Sequence, residues 1–203
     1  MPLLRSRAGT LPISLVLSAA SAAAIATPVD LPDAAEIEAA FRREVAREPL
    51  PGNLLARAMI ESIRVNDVAG CAPVGGQLWC IVTVSGGFKF NQHRVLALSR
   101  QDGQWRLHPE HDGDLPPPPS PQHAQALMRE LASQAQTGGE TTAELHRAAS
   151  ELEVAAVRDC DLASQNGSVS CELDYRLHRD APATVGDFRF RLSGERWQLV
   201  EPN

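Results

Sequence analysis

The chain has 203 residues, a net charge of −6 and only 4% aromatic residues. Acidity of this kind excludes a nucleic-acid binder that works by neutralising phosphates, and it is repelled by anionic lipid headgroups. An apolar content of 43% against 22% charged residues excludes a disordered chain and allows one domain or two small ones.

At the N-terminus, Arg5 and Arg7 precede an apolar, Ala-rich run from Leu11 to Ala24, and Ala24-Ile25-Ala26 supplies a small-x-small cleavage signal. Residues 1–26 read as a secretory signal peptide, the run being too short for a membrane anchor. Of the 19 basic residues all but Lys89 are Arg, which with the many Ala and Pro points to GC-rich bacterial coding. The expected address is periplasmic or secreted, where four cysteines read as two disulfides. Cleavage removes Arg5 and Arg7 and no acid, moving the net charge from −6 to −8. Residues 27–112 carry −2 of this and residues 113–203 carry −6.

The first expected module spans 27–112. Asp33 and Glu36 form a capping box ahead of Ile37, Phe41 and Val45, and Asn53 caps a short helix with Leu54, Leu55, Ala58 and Met59. Cys71 and Cys80 then flank Gly75-Gly76, with three residues on either arm. Two glycines reach the positive φ angles of a two-residue hairpin turn, setting Cys71 opposite Cys80 at a non-hydrogen-bonded site. Pro73 falls at another such site, where its missing N–H costs nothing. Alternation along the strands turns Cys80, Val82, Val84, Leu96 and Leu98 toward the helices, and Trp79, Ile81, Thr83, Val95 and Ala97 outward. The loop Ser85–Asn91 carries Phe88 and Phe90 beside Gly86-Gly87. His108, Glu110, His111, Asp112 and Asp114 have metal-ligating chemistry but no rigid element to fix them, and they read as a hydrated edge.

Residues 113–121, rich in proline, read as a semi-rigid linker or, less readily, a polyproline ligand. In the second module, 122–203, Ser120 caps a helix with Pro121 at its first position, followed by Leu127 and Leu131. Thr141 and Glu144 form another capping box after Gly138-Gly139. Cys160 and Cys171 flank Ser164–Gly167. A two-residue Asn166-Gly167 turn would put Cys171 opposite Leu162; a four-residue loop puts it opposite Cys160, so a disulfide selects the longer loop. Inward go Cys171, Leu173, Tyr175, Leu177, Phe188, Phe190 and Leu192; outward go Glu172, Asp174, Arg176, Arg189 and Arg191, poised for cross-strand ion pairs.

The modules are copies. Ile63, Val65, Val68 and Cys71 recur as Leu152, Val154, Val157 and Cys160 at an offset of 89. Cys80 recurs as Cys171 at 91, because the second hairpin turn is longer by two, and further on Trp105 recurs as Trp197 at 92. The fold expected is α+β: two tandem helix-loop-helix units, each followed by about four antiparallel strands and holding one hairpin disulfide.

The copies differ in their outward faces, apolar in the first and charged in the second. An apolar sheet face demands a cover. That cover is the second module, a second copy of the chain, or a different protein. With the aromatic loop this makes Trp79, Ile81, Phe88, Phe90 and Val95 the candidate partner-binding residues. No G-x-S-x-G elbow, H-E-x-x-H or phosphate-binding loop is present, so no catalytic residue, metal ligand or cofactor is assigned. The element order and the paired Cys71/Cys80 and Cys160/Cys171 resemble the β-lactamase inhibitor protein family, and also periplasmic immunity proteins. The resemblance implies a non-catalytic inhibitor of a basic hydrolase or toxin. The other class in view is a cystatin-like or nuclear-transport-factor-like roll enclosing a small ligand in a pocket lined by Val82, Leu96 and helix residues.

Overall fold

The computed structural model describes residues 30–47, 52–87, 89–109, 115–137 and 143–200. The signal-peptide reading, Phe88, residues 110–114 and the Thr141 cap lie outside them. In chain order the elements are α1 (Ala34–Val45), α2 (Leu54–Glu61), β1 (Arg64–Val74), β2 (Gln77–Gly86), β3 (Lys89–Gln101) and β4 (Gln104–Leu107). They recur as α3 (Pro121–Thr137), α4 (Ala143–Glu151), β5 (Glu153–Leu162), β6 (Val169–Arg176), β7 (Thr184–Ser193) and β8 (Arg196–Val200). Each half forms one four-stranded antiparallel sheet in sequential order, so the α+β tandem is the architecture observed.

Local chemistry sets the elements. The Asp33 carboxylate accepts from the Glu36 backbone N–H at 2.7 Å while Glu36 reaches back to the Asp33 N–H at 3.0 Å. Gly75 and Gly76 turn the first hairpin at φ of 56° and 82°, pairing Val74 with Gln77, Pro73 with Leu78 and Cys71 with Cys80. In the second hairpin Leu162 pairs with Val169 and the Ala163 N–H donates to the Ser168 carbonyl at 2.8 Å, so Ser164–Gly167 is the loop. Gly167 takes the left-handed position at φ 69°. Both disulfides are closed, with Cα atoms 4.0 and 4.1 Å apart. Each link stabilises by about 2–3 kcal/mol through the chain entropy it removes from the unfolded state.

The helix-facing side of the first sheet makes one core. Cys71, Leu78, Cys80, Val82, Leu96, Leu98, Trp105 and Leu107 pack with Ile37 and Ala40 of α1. In the second half Cys171, Leu173, Phe190, Leu192 and Trp197 pack with α3. There the buried row is Ala124, Met128 and Ala132 rather than Leu127 and Leu131, which are half-buried. Alanine lets the helix approach the sheet closely, which hydrophobicity alone does not reveal. In α1, likewise, Ile37 and Ala40 are buried while Phe41 and Val45 are half-buried. All of α2 stays outside the core: none of its residues is buried.

The linker expectation is corrected. Pro116, Pro117 and Pro119 are buried, the last two almost completely, so this stretch is packed and is neither a free spacer nor a displayed ligand. Residues 31–203 form one compact unit rather than two beads on a tether.

Candidate functional site

The outward face of the first sheet is where the sequence placed partner binding. Strand registers put Ala72, Trp79 and Ala97 in one row and Gly70, Ile81 and Val95 in the next. Ile81, Val95 and Ala97 are completely buried, and Ile81 and Val95 belong to the same hydrophobic cluster as Val169, Phe190 and Leu192 of the second sheet. Trp79 is half-buried against that cluster. The second module is therefore the cover. Ile81 and Val95 are unavailable to another protein or to a second copy, and their assignment as partner-binding residues is withdrawn.

Polar contacts hold the cover in place at both edges. In an antiparallel pair at a non-hydrogen-bonded site each N–H points away from its neighbour strand. The Cys71 N–H thus points off the free edge of β1, where it meets the Gly194 carbonyl at 2.7 Å; the Gly194 N–H returns a bond to Ala69 at 3.0 Å. On the opposite edge the His93 N–H donates to the Ser164 carbonyl at 2.7 Å. Gly194 is in the β7–β8 turn and Ser164 in the β5–β6 loop, both at one end of the second sheet. These two turns clasp the first sheet across β1 and β3. Gly70 is required for the fit: a Cβ there would lie 2.6 Å from the Gly194 carbonyl oxygen and 2.8 Å from Leu192 Cγ. Two sheet edges that would otherwise expose backbone groups are covered in the same act.

The outward face of the second sheet carries the charges expected. Arg158 bonds Glu172 at 2.7 Å and makes a bidentate contact to Asp174. The hydrogen bonds to Glu172 and Asp174 hold the Arg158 guanidinium above its ordinary value. Exposed pairs of this kind contribute little to stability, but they keep the face soluble.

Of the sequence candidates Phe90 alone is both described and openly exposed, at 76%. It has company on the short helix that Asn53 caps. Leu54 (80% exposed), Leu55 (61%) and Met59 lie on α2, whose C-terminal end is tied to the β2–β3 turn. The Gly87 N–H donates to Ser62 Oγ at 2.8 Å, and Met59 Cε sits against Gly87. A neighbouring groove of about 270 Å³ is lined by Phe41, Ile63, Val65, Val84, Arg94 and Leu96. Val82, expected to line such a pocket, is instead fully buried beneath α1.

Among the described residues no cluster of three His, Cys, Asp or Glu side chains could hold a metal ion. His108 accepts or donates a 2.8 Å hydrogen bond with Ser99 Oγ on β3, a structural contact. Among the described residues no helix is long and apolar enough to cross a membrane. No protein-family model matches the chain, and no curated protein or solved structure matches it significantly. The likeness to inhibitor proteins stands on element order and paired cysteines alone.

Proposed function

We propose that the chain is a non-catalytic binding protein of the bacterial periplasm or exterior, an inhibitor or immunity protein directed at a cell-wall hydrolase or secreted effector. Its contact surface is the α2–Phe90 end of the first module, not the strand face. One observation carries the reading: of six exposed large hydrophobics among the described residues, four (Leu54, Leu55, Met59 and Phe90) belong to α2 and the first turn of β3. A helix with no fully buried residue leaves Leu54 and Leu55 free for something else, and aromatic side chains at such a surface are effective anchors. The two disulfides suit an oxidising compartment. The net acidity suits a basic target, such as an enzyme that works on an anionic wall polymer.

The test is inhibition. The mature protein is titrated against a muramidase, an amidase and an endopeptidase in a peptidoglycan turbidity assay. The expected result is inhibition of one class, weakened about tenfold or more by Met59→Ser with Phe90→Ser while the melting temperature is unchanged. Lack of inhibition in all three, or equal inhibition by the double variant, contradicts the reading.

A further inference from the structure

We infer that Asn166 is a deamidation site that the closed clasp keeps silent, and that its conversion to isoaspartate prevents the clasp from closing again. Of the five asparagines in the chain only Asn166 is followed by glycine. The reaction is intramolecular. The Gly167 backbone nitrogen gives up its proton and attacks Cγ of Asn166, the Cγ–Nδ2 bond breaks, and ammonia leaves with that proton. Water then opens the cyclic imide at either carbonyl, to aspartate or to isoaspartate. A glycine at the second position puts no side chain in the way of ring closure and lets the backbone rotate into it.

The structure restrains both reacting groups. The Gly167 N–H donates to the Ala163 carbonyl at 2.9 Å, and the Asn166 N–H shares that acceptor at 3.2 Å. Asn166 Oδ1 accepts from the Ser168 N–H at 3.0 Å and from Ser168 Oγ at 2.8 Å, which turns the side chain toward Ser168 and holds it there. Gly167 is buried against the first module: a Cβ on it would lie 2.5 Å from Cδ2 of His93. The His93 backbone N–H and ring Nδ1 both meet the Ser164 carbonyl, so the reactive pair lies in the loop that makes the β3 edge contact. Asn166 itself is exposed, so water and base reach it. What the fold withholds is motion of the Gly167 nitrogen, and it does so while the second module sits on the first.

The product is not accommodated in the same way. Isoaspartate reroutes the main chain through the old side chain and lengthens it by one carbon. Leu162 pairs with Val169 and the Cys160–Cys171 link fixes the strands behind them, so the added length is taken up within Ser164–Gly167. An added carbon where Gly167 meets the His93 ring has only 2.5 Å. The loop must bulge, and the Ser164 carbonyl leaves the His93 N–H.

Peptide mapping of the oxidised mature protein, held at mildly alkaline pH, follows the conversion and separates isoaspartate from aspartate by retention. In denaturing urea Asn166 is expected to convert at least about a hundredfold faster than in the native protein, whose rate follows the opened population. Gly70→Ala loosens the Gly194 contact without touching the loop and is expected to speed native conversion about tenfold. Sub-denaturing urea is expected to raise the wild-type rate in step with exchange of the His93 amide. After refolding, the isoaspartate form is expected to exchange the His93 N–H rapidly. Freshly prepared Asn166→Asp, whose main chain keeps its length, is expected to protect that amide as wild type does. The proposal is overturned if the denatured chain converts no faster than the native protein, if Gly70→Ala or urea leaves the native rate unchanged, or if the refolded isoaspartate form protects His93 as well as wild type. Loss of protection in Asn166→Asp would also overturn it, since the added charge and not the longer chain would then open the clasp.

Discussion

The outer faces of the two sheets occupy equivalent positions in the repeat and have opposite fates. Trp79, Ile81 and Thr83 of β2 correspond to Ser170, Glu172 and Asp174 of β6, and Val95 and Ala97 of β3 to Asp187 and Arg189 of β7. The first set is covered by the second module; the second set faces water and is laced by Arg158. The contact is head to tail, joining the turn end of one module to the strand face of the other. Contacts of that type propagate unless the next face refuses them. Here the refusal is explicit: charges replace the apolar row, and Asp159 stands where Gly70 makes room for Gly194. The difference between the copies is thus the device that stops the array at two.

That comparison is open to direct attack. The largest effect is expected from Ile81→Glu, which gives the covered face the residue of the exposed one. An uncompensated charge in a core costs about 3–5 kcal/mol, read by urea denaturation, whereas the reciprocal Glu172→Ile leaves the midpoint nearly unchanged. Opening the first staple with Cys71→Ser and Cys80→Ser is expected to cost about 2–3 kcal/mol, read by the same urea denaturation. Gly70→Ala pushes a methyl into the Gly194 backbone and is expected to cost about 1–3 kcal/mol. Its counterpart has the opposite sign: Asp159 sits at φ 49°, so Asp159→Gly is expected to stabilise by about 1 kcal/mol. Smallest of all, Phe90→Ser leaves thermal stability within about 0.5 kcal/mol of wild type. Equal responses of the two glycine-site variants would erase the distinction between the copies.

Much of this was legible in the sequence because it is local. Turn glycines, capping boxes and strand parity act within a few residues, so both hairpin registers and both sets of inward and outward side chains were readable. The four-residue Ser164–Gly167 loop followed from requiring Cys160 to face Cys171. The identity of the cover was not legible, because docking of one module on another is a long-range contact with no periodic signature. One signal was present and unread: Gly70 is a glycine inside a strand whose repeat partner is Asp159, and such a glycine marks a close backbone approach. The proline segment misled for a related reason, since composition describes stiffness and says nothing of burial. On α2 the apolar residues were visible, but nothing in the sequence said what they pack against. The exposure of Leu54 and Leu55 is a fact of packing alone.

The central claim is that the second module seals the first sheet at both edges, and amide hydrogen exchange tests it most directly. The Cys71 and His93 N–H groups point off the free edges of the first sheet and reach acceptors only in the second module, Gly194 and Ser164. In the native oxidised protein both are predicted to exchange as slowly as the central β2 amides, opening only with global unfolding. Exchange of either amide at the rate of an unstructured backbone would contradict the clasp and return Trp79, Ile81 and Val95 to the surface.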